Sequence, residues 1–144
     1  ASMDLVGVVP TFSLYNREWP IRSTTYQHIP PAKFVFDQED TDRVGIATNS
    51  LVSPGCVVSG GQVDKTILSP SVHIHSWSQI ESSVIGEGCD IGRRARIKNT
   101  ILDKYVQVDP GVQIGYDHDE DRKRGFTVSP GGIVVVPKGV HVRA

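Results

Sequence analysis

A repeat of 17 residues between Leu51 and Gly115 predicts a mainly β protein, in which a parallel β-helix forms the body of the chain. The repeat reads LVSPGCVVSGGQVDKTI (51–67), LSPSVHIHSWSQIESSV (68–84), IGEGCDIGRRARIKNTI (85–101) and LDKYVQVDPGVQIG (102–115). An aliphatic residue recurs every five or six positions. This step is too long for an alternating strand and does not match a helix of about 3.6 residues per turn. It fits three short strands separated by bends, which together close one triangular coil.

The aliphatic positions of the repeat are predicted to point into the coil. Valine and isoleucine, with 20 and 12 copies against 5 of leucine, favour strands over helices. The predicted inward positions are Leu51, Val57, Val63, Leu68, Ile74, Ile80, Ile85, Ile91, Ile97, Leu102, Val108 and Ile114. Three further columns are predicted to fill the same narrow interior: Gly55, Val72, Cys89 and Val106; Gly61, Ser78, Ala95 and Val112; Ile67, Val84 and Ile101. Two polar columns are predicted to face outward: Gln62, Gln79, Arg96 and Gln113; Asp64, Glu81 and Lys98.

The segments on either side of the repeat divide the chain into three parts. Residues 1–45 form an N-terminal segment that is rich in proline and in aromatic residues, namely Phe12, Tyr15, Trp19, Tyr26, Phe34 and Phe36. Aromatic residues at this density need burial, either over the first coil or against another domain. Residues 46–116 are predicted to form the coils. Residues 117–144 are predicted to form a charged loop (117–125) and a final strand within 131–139, and the charged stretch 37–45 is predicted to be another loop.

Charge and composition exclude several functional classes. Fifteen basic against sixteen acidic residues give a net charge of −1, far from the basic surface that a nucleic-acid binder needs. No apolar run is long enough to span a membrane, and no secretory leader is expected. Two cysteines are too few for a disulfide framework and favour a reducing compartment. No P-loop, GxSxG or HExxH motif occurs.

A pair of histidines is one group that could carry chemistry on residue type alone. His73 and His75 flank the inward Ile74 and therefore point outward together. Two such imidazoles bind a metal when a third ligand converges on them. No acid or third histidine is expected in that column, so the sequence favours an exposed or interface pair and no metal site.

The other candidates are a group of cations and the two cysteines. The third coil carries four cations, Arg93, Arg94, Arg96 and Lys98. They could receive an anion; a solvated face, or pairing with acids such as Glu81, is the alternative. Cys56 and Cys89 are predicted to occupy different columns, so no catalytic or metal-binding pair is expected. Cys89 is predicted to be a small buried residue.

Several motifs occur in a fixed order along the chain: LYNREWPIR (14–22), PPAKFVF (30–36), NSLVSPGCVVSGG (49–61) and DHDEDRKRGFTVSPGGIVVVPKG (117–139). Together with VHIHSWSQIESSVI and DIGRRARIKNTILDK they resemble the C-terminal part of the bacterial ADP-glucose pyrophosphorylases (glucose-1-phosphate adenylyltransferases). The resemblance covers about residues 4–139. Hexapeptide repeats of this kind form left-handed β-helices, so the resemblance also implies the handedness.

This resemblance implies an enzymatic parent protein. In that family, ATP and glucose 1-phosphate are converted into ADP-glucose and pyrophosphate for glycogen or starch synthesis, by a cytoplasmic homotetramer. Catalysis, ATP binding and the Mg²⁺ cofactor belong to an N-terminal nucleotidyltransferase domain, whose glycine-rich signature is missing from this sequence. The resemblance therefore implies no catalytic residue and no cofactor in this chain, and it implies a catalytic domain and further subunits as partners.

The same resemblance implies a regulatory role for three basic residues. The effectors of the family are anions: sugar phosphates or pyruvate activate, and AMP or phosphate inhibits. The basic positions of the family match Lys104 in ILDKYV and Lys138 in IVVVPK, and Arg143 is the third candidate. Lysine suits this role as a flexible point charge that accepts several phosphate geometries. We therefore expect an allosteric anion site, shared with the catalytic domain.

Two alternative functions stay open on the sequence alone. One is a stand-alone hexapeptide-repeat acyltransferase or carbonic-anhydrase-like trimer, which needs a catalytic histidine on a protruding loop or three converging histidines. The other is an oligomerisation module without any ligand. Zinc content distinguishes the first alternative, and a failure to bind anions distinguishes the second.

Overall fold

The chain folds into a β-helix of short parallel strands. A computed structural model describes residues 2–9, 11, 13–19, 29–36 and 43–144. Within these residues, seventeen strands of two or three residues each form three sheets, and successive strands visit the sheets in turn, except that β15 and β16 both lie in one sheet. The predicted fold class is therefore confirmed. Of the predicted loop at 37–45, residues 37–42 lie outside the described part of the chain, as do Phe12 and Tyr26.

The strands of each sheet are hydrogen-bonded neighbours from successive coils. Sheet I contains, in spatial order, β1 (Lys33–Val35), β4 (Val57–Ser59), β7 (His73–Ile74), β10 (Asp90–Ile91), β13 (Gln107–Val108) and β17 (His141–Val142). Sheet II contains β2 (Ile46–Thr48), β5 (Gln62–Asp64), β8 (Gln79–Glu81), β11 (Arg96–Lys98) and β14 (Gln113–Ile114). Sheet III contains β3 (Leu51–Val52), β6 (Ile67–Leu68), β9 (Val84–Ile85), β12 (Thr100–Leu102), β16 (Val134–Val136) and β15 (Thr127–Val128), the last antiparallel. A 3₁₀-helix (Ser2–Val6) and helix α1 (His118–Lys123) complete the described elements.

One column of hydroxyls closes the corner between sheets II and III. Thr66, Ser83 and Thr100 are buried, and each hydroxyl donates to the carbonyl two residues before it, at 2.7–2.8 Å. The Ser83 hydroxyl also accepts the N–H of Thr100 from the next coil, at 3.2 Å. The hydroxyls therefore satisfy backbone groups that the strands leave unpaired at the bend.

The first coil of the repeat is one residue shorter than the next coils. For this reason the predicted inward residues of the first coil are partly wrong. Val52 lies beside Leu68 and Val58 beside Ile74, so the inward residues are Val52 and Val58 rather than Leu51 and Val57. For the same reason Cys56, rather than Gly55, shares the column of Val72, Cys89 and Val106. The turn Gly60–Gly61 is one residue shorter than the later turn that contains Trp77. Gly60 has a φ of 76°, a conformation that glycine adopts without steric cost.

A second correction concerns the column Ile67, Val84 and Ile101. The three residues lie side by side in sheet III, as predicted, but they face outward, and 39% of Ile101 is exposed. Adjacent residues of a strand point to opposite faces, and their neighbours Leu68, Ile85 and Leu102 fill the interior. Sheet III therefore carries an apolar strip on its outer face.

Within the charged stretch predicted to be a loop at 117–125, residues His118–Lys123 form helix α1, so the predicted loop conformation is wrong, although most of these residues are exposed. Asp117 caps helix α1 by accepting the N–H groups of Asp119 and Glu120, at 3.0 and 3.2 Å. The helix has six residues and no apolar stripe, so hydrophobic periodicity could not detect it. Asp121, which is 1% exposed, fastens the helix to the coil by accepting the N–H of Gly115 at 3.0 Å. The final strand predicted within 131–139 is confirmed as β16, which ends before Pro137.

Gly115 should be essential for stability, because a side chain there has neither room nor a favourable backbone conformation. Its φ is 85°, and an added Cβ would collide with the carbonyl oxygen of Lys98. We expect Gly115→Ala to lower the free energy of unfolding by about 3 kcal/mol or more in urea denaturation. The control is Gly111→Ala, since Gly111 has a φ of 76° but an added Cβ there would have nothing within 4 Å. The control should lose only about 1–2 kcal/mol, and equal losses would contradict this account.

Asp121 should make the stability depend on pH. Burial raises the pKa of its carboxyl above 3.8, although the Gly115 N–H and the charge of Arg124 oppose this rise. The folded chain then keeps a proton that the unfolded chain has lost, so the free energy of unfolding falls as pH rises through this interval. Between about pH 4 and pH 7, the wild type should lose stability relative to Asp121→Asn in urea denaturation. Asp119→Asn removes a carboxylate that is 85% exposed and should track the wild type. Parallel profiles for the wild type and Asp121→Asn would refute the prediction.

Candidate functional site

Lys104 and Lys138 lie next to each other at the corner between sheets III and I. Lys104 follows β12 and Lys138 follows β16, and these strands pair with Leu102 beside Val136. The N–H of Gly139 donates to the carbonyl of Lys104 at 2.9 Å, which joins the two turns directly. The lysines thus occupy equivalent positions on adjacent coils, at the strand spacing of about 4.8 Å. We call Lys104 and Lys138 the lysine corner.

Two side chains surround the lysine corner. Glu87 occupies the same corner one coil earlier, and its Oε2 lies 3.8 Å from Lys104 Nζ. The ring centroid of Tyr105 lies 5.7 Å from Lys138 Nζ, within cation–π range. Lys104 and Tyr105 are both about half exposed, at 54% and 52%. The corner therefore presents two accessible ammonium groups, only one of which has a nearby carboxylate partner among the described residues.

Arg143, the third predicted basic residue, is not part of the lysine corner. It follows β17, whereas Lys138 precedes that strand, so sheet I lies between them. Its charge acts on Asp109 instead. The pKa of the Asp109 carboxyl is lowered mainly by the hydrogen bond from His141, and the charges of His141 and Arg143 lower it further.

The four cations of the third coil do not converge on one point. The Arg96 guanidinium stacks over the ring of Tyr116, 4.7 Å from its centroid, on the outer face of sheet II. Lys98 lies beside Glu81 in the same sheet, as the outward column predicted. Arg93 and Arg94 lie at the next corner, near Trp77 and Pro110. The structure thus places these charges on separate surfaces, which favours solvated or paired cations over a shared anion site.

His73 and His75 do have an acidic neighbour, contrary to the expectation from sequence. Asp90 lies beside His73 in sheet I, and its Oδ1 lies 2.8 Å from His75 Nε2. The two imidazole rings stack, with centroids 4.1 Å apart. Burial lowers the pKa of His73, as does the charge of His75, while Asp90 opposes the shift. The signal was present in the sequence, because Asp90 follows His73 by one 17-residue repeat.

The two cysteines share one interior column, which corrects the prediction that they occupy different ones. Val72 separates them, so the thiols cannot meet, and both residues are at most 1% exposed. Each thiol donates to a backbone carbonyl at 3.1 Å. Burial raises the pKa of both thiols, although backbone hydrogen bonds oppose it. The prediction that Cys89 is a small buried residue is confirmed.

These coils define a hexapeptide-repeat protein. The sequence pattern of the family described as GlmU-like, C-terminal hexapeptide matches residues 30–136, and the chain belongs to that family. Its fold is the left-handed β-helix typical of hexapeptide repeats. In the described residues, no helix is both long and apolar enough to cross a membrane.

Curated relatives carry one shared name. The chain is 52% identical over 142 residues to the glucose-1-phosphate adenylyltransferase of Bifidobacterium adolescentis, a match that covers 99% of this chain and 34% of the relative. Matches to the proteins of the same name from Anaeromyxobacter sp. and Parafrankia sp. have 51% and 49% identity, with the same coverage. The resemblance inferred from the sequence motifs is thereby confirmed. The chain spans about one third of the length of these relatives.

The burial of the thiols predicts that neither cysteine reacts in the folded protein. A thiolate is the reactive form, and a raised pKa together with a packed environment suppresses it. Ellman's reagent should not react with the thiols of the native chain during the time in which it reacts completely with free cysteine. It should titrate two thiols per chain in denaturant. Fast reaction of one thiol under native conditions would show that the interior column opens locally.

Proposed function

We propose that this chain is the effector-binding and assembly part of a glucose-1-phosphate adenylyltransferase. Such an enzyme makes ADP-glucose and pyrophosphate from ATP and glucose 1-phosphate, for glycogen synthesis in the cytoplasm. The name of the relatives supports this assignment, since they match 99% of the chain. The observation that carries the regulatory role is the lysine corner, where two cations 34 residues apart in sequence lie on adjacent coils.

In this proposal, a further domain of the complete enzyme carries out catalysis. Within the described residues, the cluster that could hold a metal contains two imidazoles and one carboxylate. Mg²⁺ prefers oxygen ligands and keeps several waters, so this cluster does not fit the Mg²⁺ of a nucleotidyltransferase. We therefore assign ATP, Mg²⁺ and the reacting groups to an N-terminal catalytic domain, and no catalytic residue to this chain.

Exposed apolar groups support a role in assembly. Tyr15 and Trp19 in the N-terminal segment are 80% and 77% exposed, so they are not packed over the first coil. Ile101 in the outer strip of sheet III and Ile133, just before β16, line one depression and are 39% and 43% exposed. A contiguous exposed apolar patch often marks a contact with another protein surface. We assign these surfaces to contacts with the catalytic domain and with other subunits of a homotetramer.

The lysine corner can bind the anionic effectors by direct charge pairing. Two ammonium groups on adjacent coils repel each other, and a phosphate or carboxylate between them converts the repulsion into two attractions. Glu87 competes with the effector for Lys104, so it sets the anion concentration that is needed. When the effector also contacts the catalytic domain in one arrangement only, binding shifts the enzyme toward that arrangement. Sugar phosphates, pyruvate, AMP and inorganic phosphate all carry the required negative charge. Arg143 contacts the bound anion only if part of the anion extends to it along the interface with the catalytic domain.

Two observations disfavour the alternative of a stand-alone acyltransferase or carbonic-anhydrase-like trimer. The long excursion between β14 and β16 is folded back as α1 and an antiparallel strand, so it does not extend as a catalytic loop. The outward histidines of sheet I form separate pairs with carboxylates, His75 with Asp90 and His141 with Asp109. They do not form the cluster of three imidazoles that this alternative requires, so zinc content alone does not favour it.

Anion binding at the lysine corner should raise the melting temperature of the chain. A ligand at 100 times its dissociation constant stabilises the native state by about 2.7 kcal/mol, which corresponds to a shift of roughly 5–10 °C here. We expect such a shift with one of the four anion classes, its loss in Lys104→Ala and a shift at lower anion concentration in Glu87→Gln. Lys123→Ala, which removes an exposed lysine from α1, is the matched control and should respond like the wild type.

The complete enzyme supplies the decisive test if the isolated chain shows no shift. There, Lys104→Ala should raise the activator concentration for half-maximal activation by about 10-fold or more, which corresponds to one lost charge-assisted contact. Lys123→Ala should leave it unchanged. An unaltered activator response in Lys104→Ala would overturn the assignment of the lysine corner.

A further inference from the structure

His73, His75 and Asp90 form a cluster on the outer face of sheet I, separate from Lys104 and Lys138. Ile74 points into the core and is fully buried, so its chain neighbours, His73 on β7 and His75 directly after β7, point outward. The parallel pairing of β7 with β10 then places Asp90 directly beside His73. The β-helix thus positions two potential ligands on strands and the third directly at a strand end, which holds them more precisely than a free loop would.

The distances in this cluster suit a single metal ion. One donor atom from each residue lies within 4.8 Å of the other two. The closest pair, His75 Nε2 and Asp90 Oδ1, is 2.8 Å apart. Ligand atoms around a tetrahedral Zn²⁺ are about 3.3 Å apart, given metal–ligand bonds of about 2.0–2.1 Å. The donor separations of 2.8 Å and up to 4.8 Å bracket this value, so side-chain rotations that separate the two stacked imidazoles bring the three donors to coordinating distance.

The cluster is accessible from solvent. The side chains of His75 and Asp90 are 34% and 52% exposed. The position beside His75 on the next coil is Gly92, where a Cβ would come within 2.6 Å of the Val108 carbonyl oxygen. Packing therefore keeps that position free of a side chain, and an open depression of about 520 Å³ adjoins His75 and Asp90. An ion can enter from this side and keep water as a fourth ligand.

We propose that His73, His75 and Asp90 bind one divalent transition-metal cation of the Zn²⁺ type. Two imidazole nitrogens and one carboxylate oxygen form a donor set typical of Zn²⁺, Co²⁺ or Ni²⁺, whereas Mg²⁺ and Ca²⁺ prefer oxygen donors. The ion joins two coils, because His73 on β7 and His75 directly after it belong to one coil and Asp90 on β10 belongs to the next. The ion therefore cross-links two coils of the β-helix. It stabilises the folded state because it binds the folded chain and not the unfolded chain.

A second histidine–carboxylate pair on the same face provides an internal control. His141 Nε2 and Asp109 Oδ1 are 2.6 Å apart, a contact of the same kind as that of His75 with Asp90. Within the described residues this pair belongs to no group of three potential ligands. Both pairs thus contain a histidine–aspartate contact. Only the pair of His75 and Asp90 has a second imidazole beside it, that of His73, which a metal site requires.

The test is Zn²⁺ titration of the full 144-residue chain, prepared without an affinity tag, by isothermal titration calorimetry. We expect one Zn²⁺ per chain and a rise in melting temperature with Zn²⁺ concentration. His75→Gln and Asp90→Asn should each weaken binding by at least about 10-fold, since even indirect partners of a metal contribute that much. His141→Gln should bind like the wild type. The visible spectrum of added Co²⁺ should show tetrahedral coordination in the wild type and lose it in Asp90→Asn.

Three results would overturn the proposal: no saturable binding up to about 1 mM Zn²⁺, binding that persists in both ligand variants, or equal loss in His141→Gln. Asp90→Asn preserves the shape of the side chain, and far-UV circular dichroism without metal shows whether each variant is folded. Excess Mg²⁺ should not displace Zn²⁺, and displacement would also contradict the assigned ligand set.

Discussion

The structure depends on backbone hydrogen bonds between successive coils. The N–H of His73 donates to Cys89, and that of Gly92 donates to Val108, at 3.0 and 2.8 Å. Such bonds require each residue to lie beside the residue one coil later in sequence. Aliphatic residues, hydroxyls and charges consequently form columns, and each coil contacts mainly its two neighbours. The interior is narrow, so the inward columns consist of small and aliphatic side chains.

The same ladder tolerates changes in coil length, provided that they occur at the bends. One missing residue at Gly60–Gly61 shifts the inward set of the first coil, and strand pairing resumes without a gap. The excursion through α1 and β15 inserts a whole repeat length between β14 and β16, and Leu102 then pairs with Val136. This insertion is what brings Lys138 beside Lys104. The excursion is stabilised by the Asp117 cap and by the buried Asp121, so it does not disturb the coils.

Packing and chemistry use different faces of the strands. The inward residues are uniformly apolar or small, and the ladder holds the outward residues in place without requiring a particular side chain. Two separate charged groups result, the lysine corner and the histidine–aspartate cluster on sheet I. The first suits anions and the second suits a cation, and they lie at different places around the coil. Because rigid strands or adjoining turns carry both, neither needs a change in the backbone to form.

By itself, the sequence determined the coil architecture and the identity of most columns, since the 17-residue period repeats the same chemical pattern along a stacking axis. Motifs such as LYNREWPIR also identified the family, and two of the three predicted basic residues, Lys104 and Lys138, do lie together. Only the tertiary structure decided the shift of Val52 and Val58 and the outward direction of Ile101. A one-residue change in a turn shifts the side chains on one side of it relative to those on the other, here Val52 and Val58 before Gly60, and a repeat alignment without strand pairing cannot locate it. The helix at Asp117 and the contact of His75 with Asp90 likewise depend on capping and on proximity across coils, and neither leaves a hydrophobic period in the sequence.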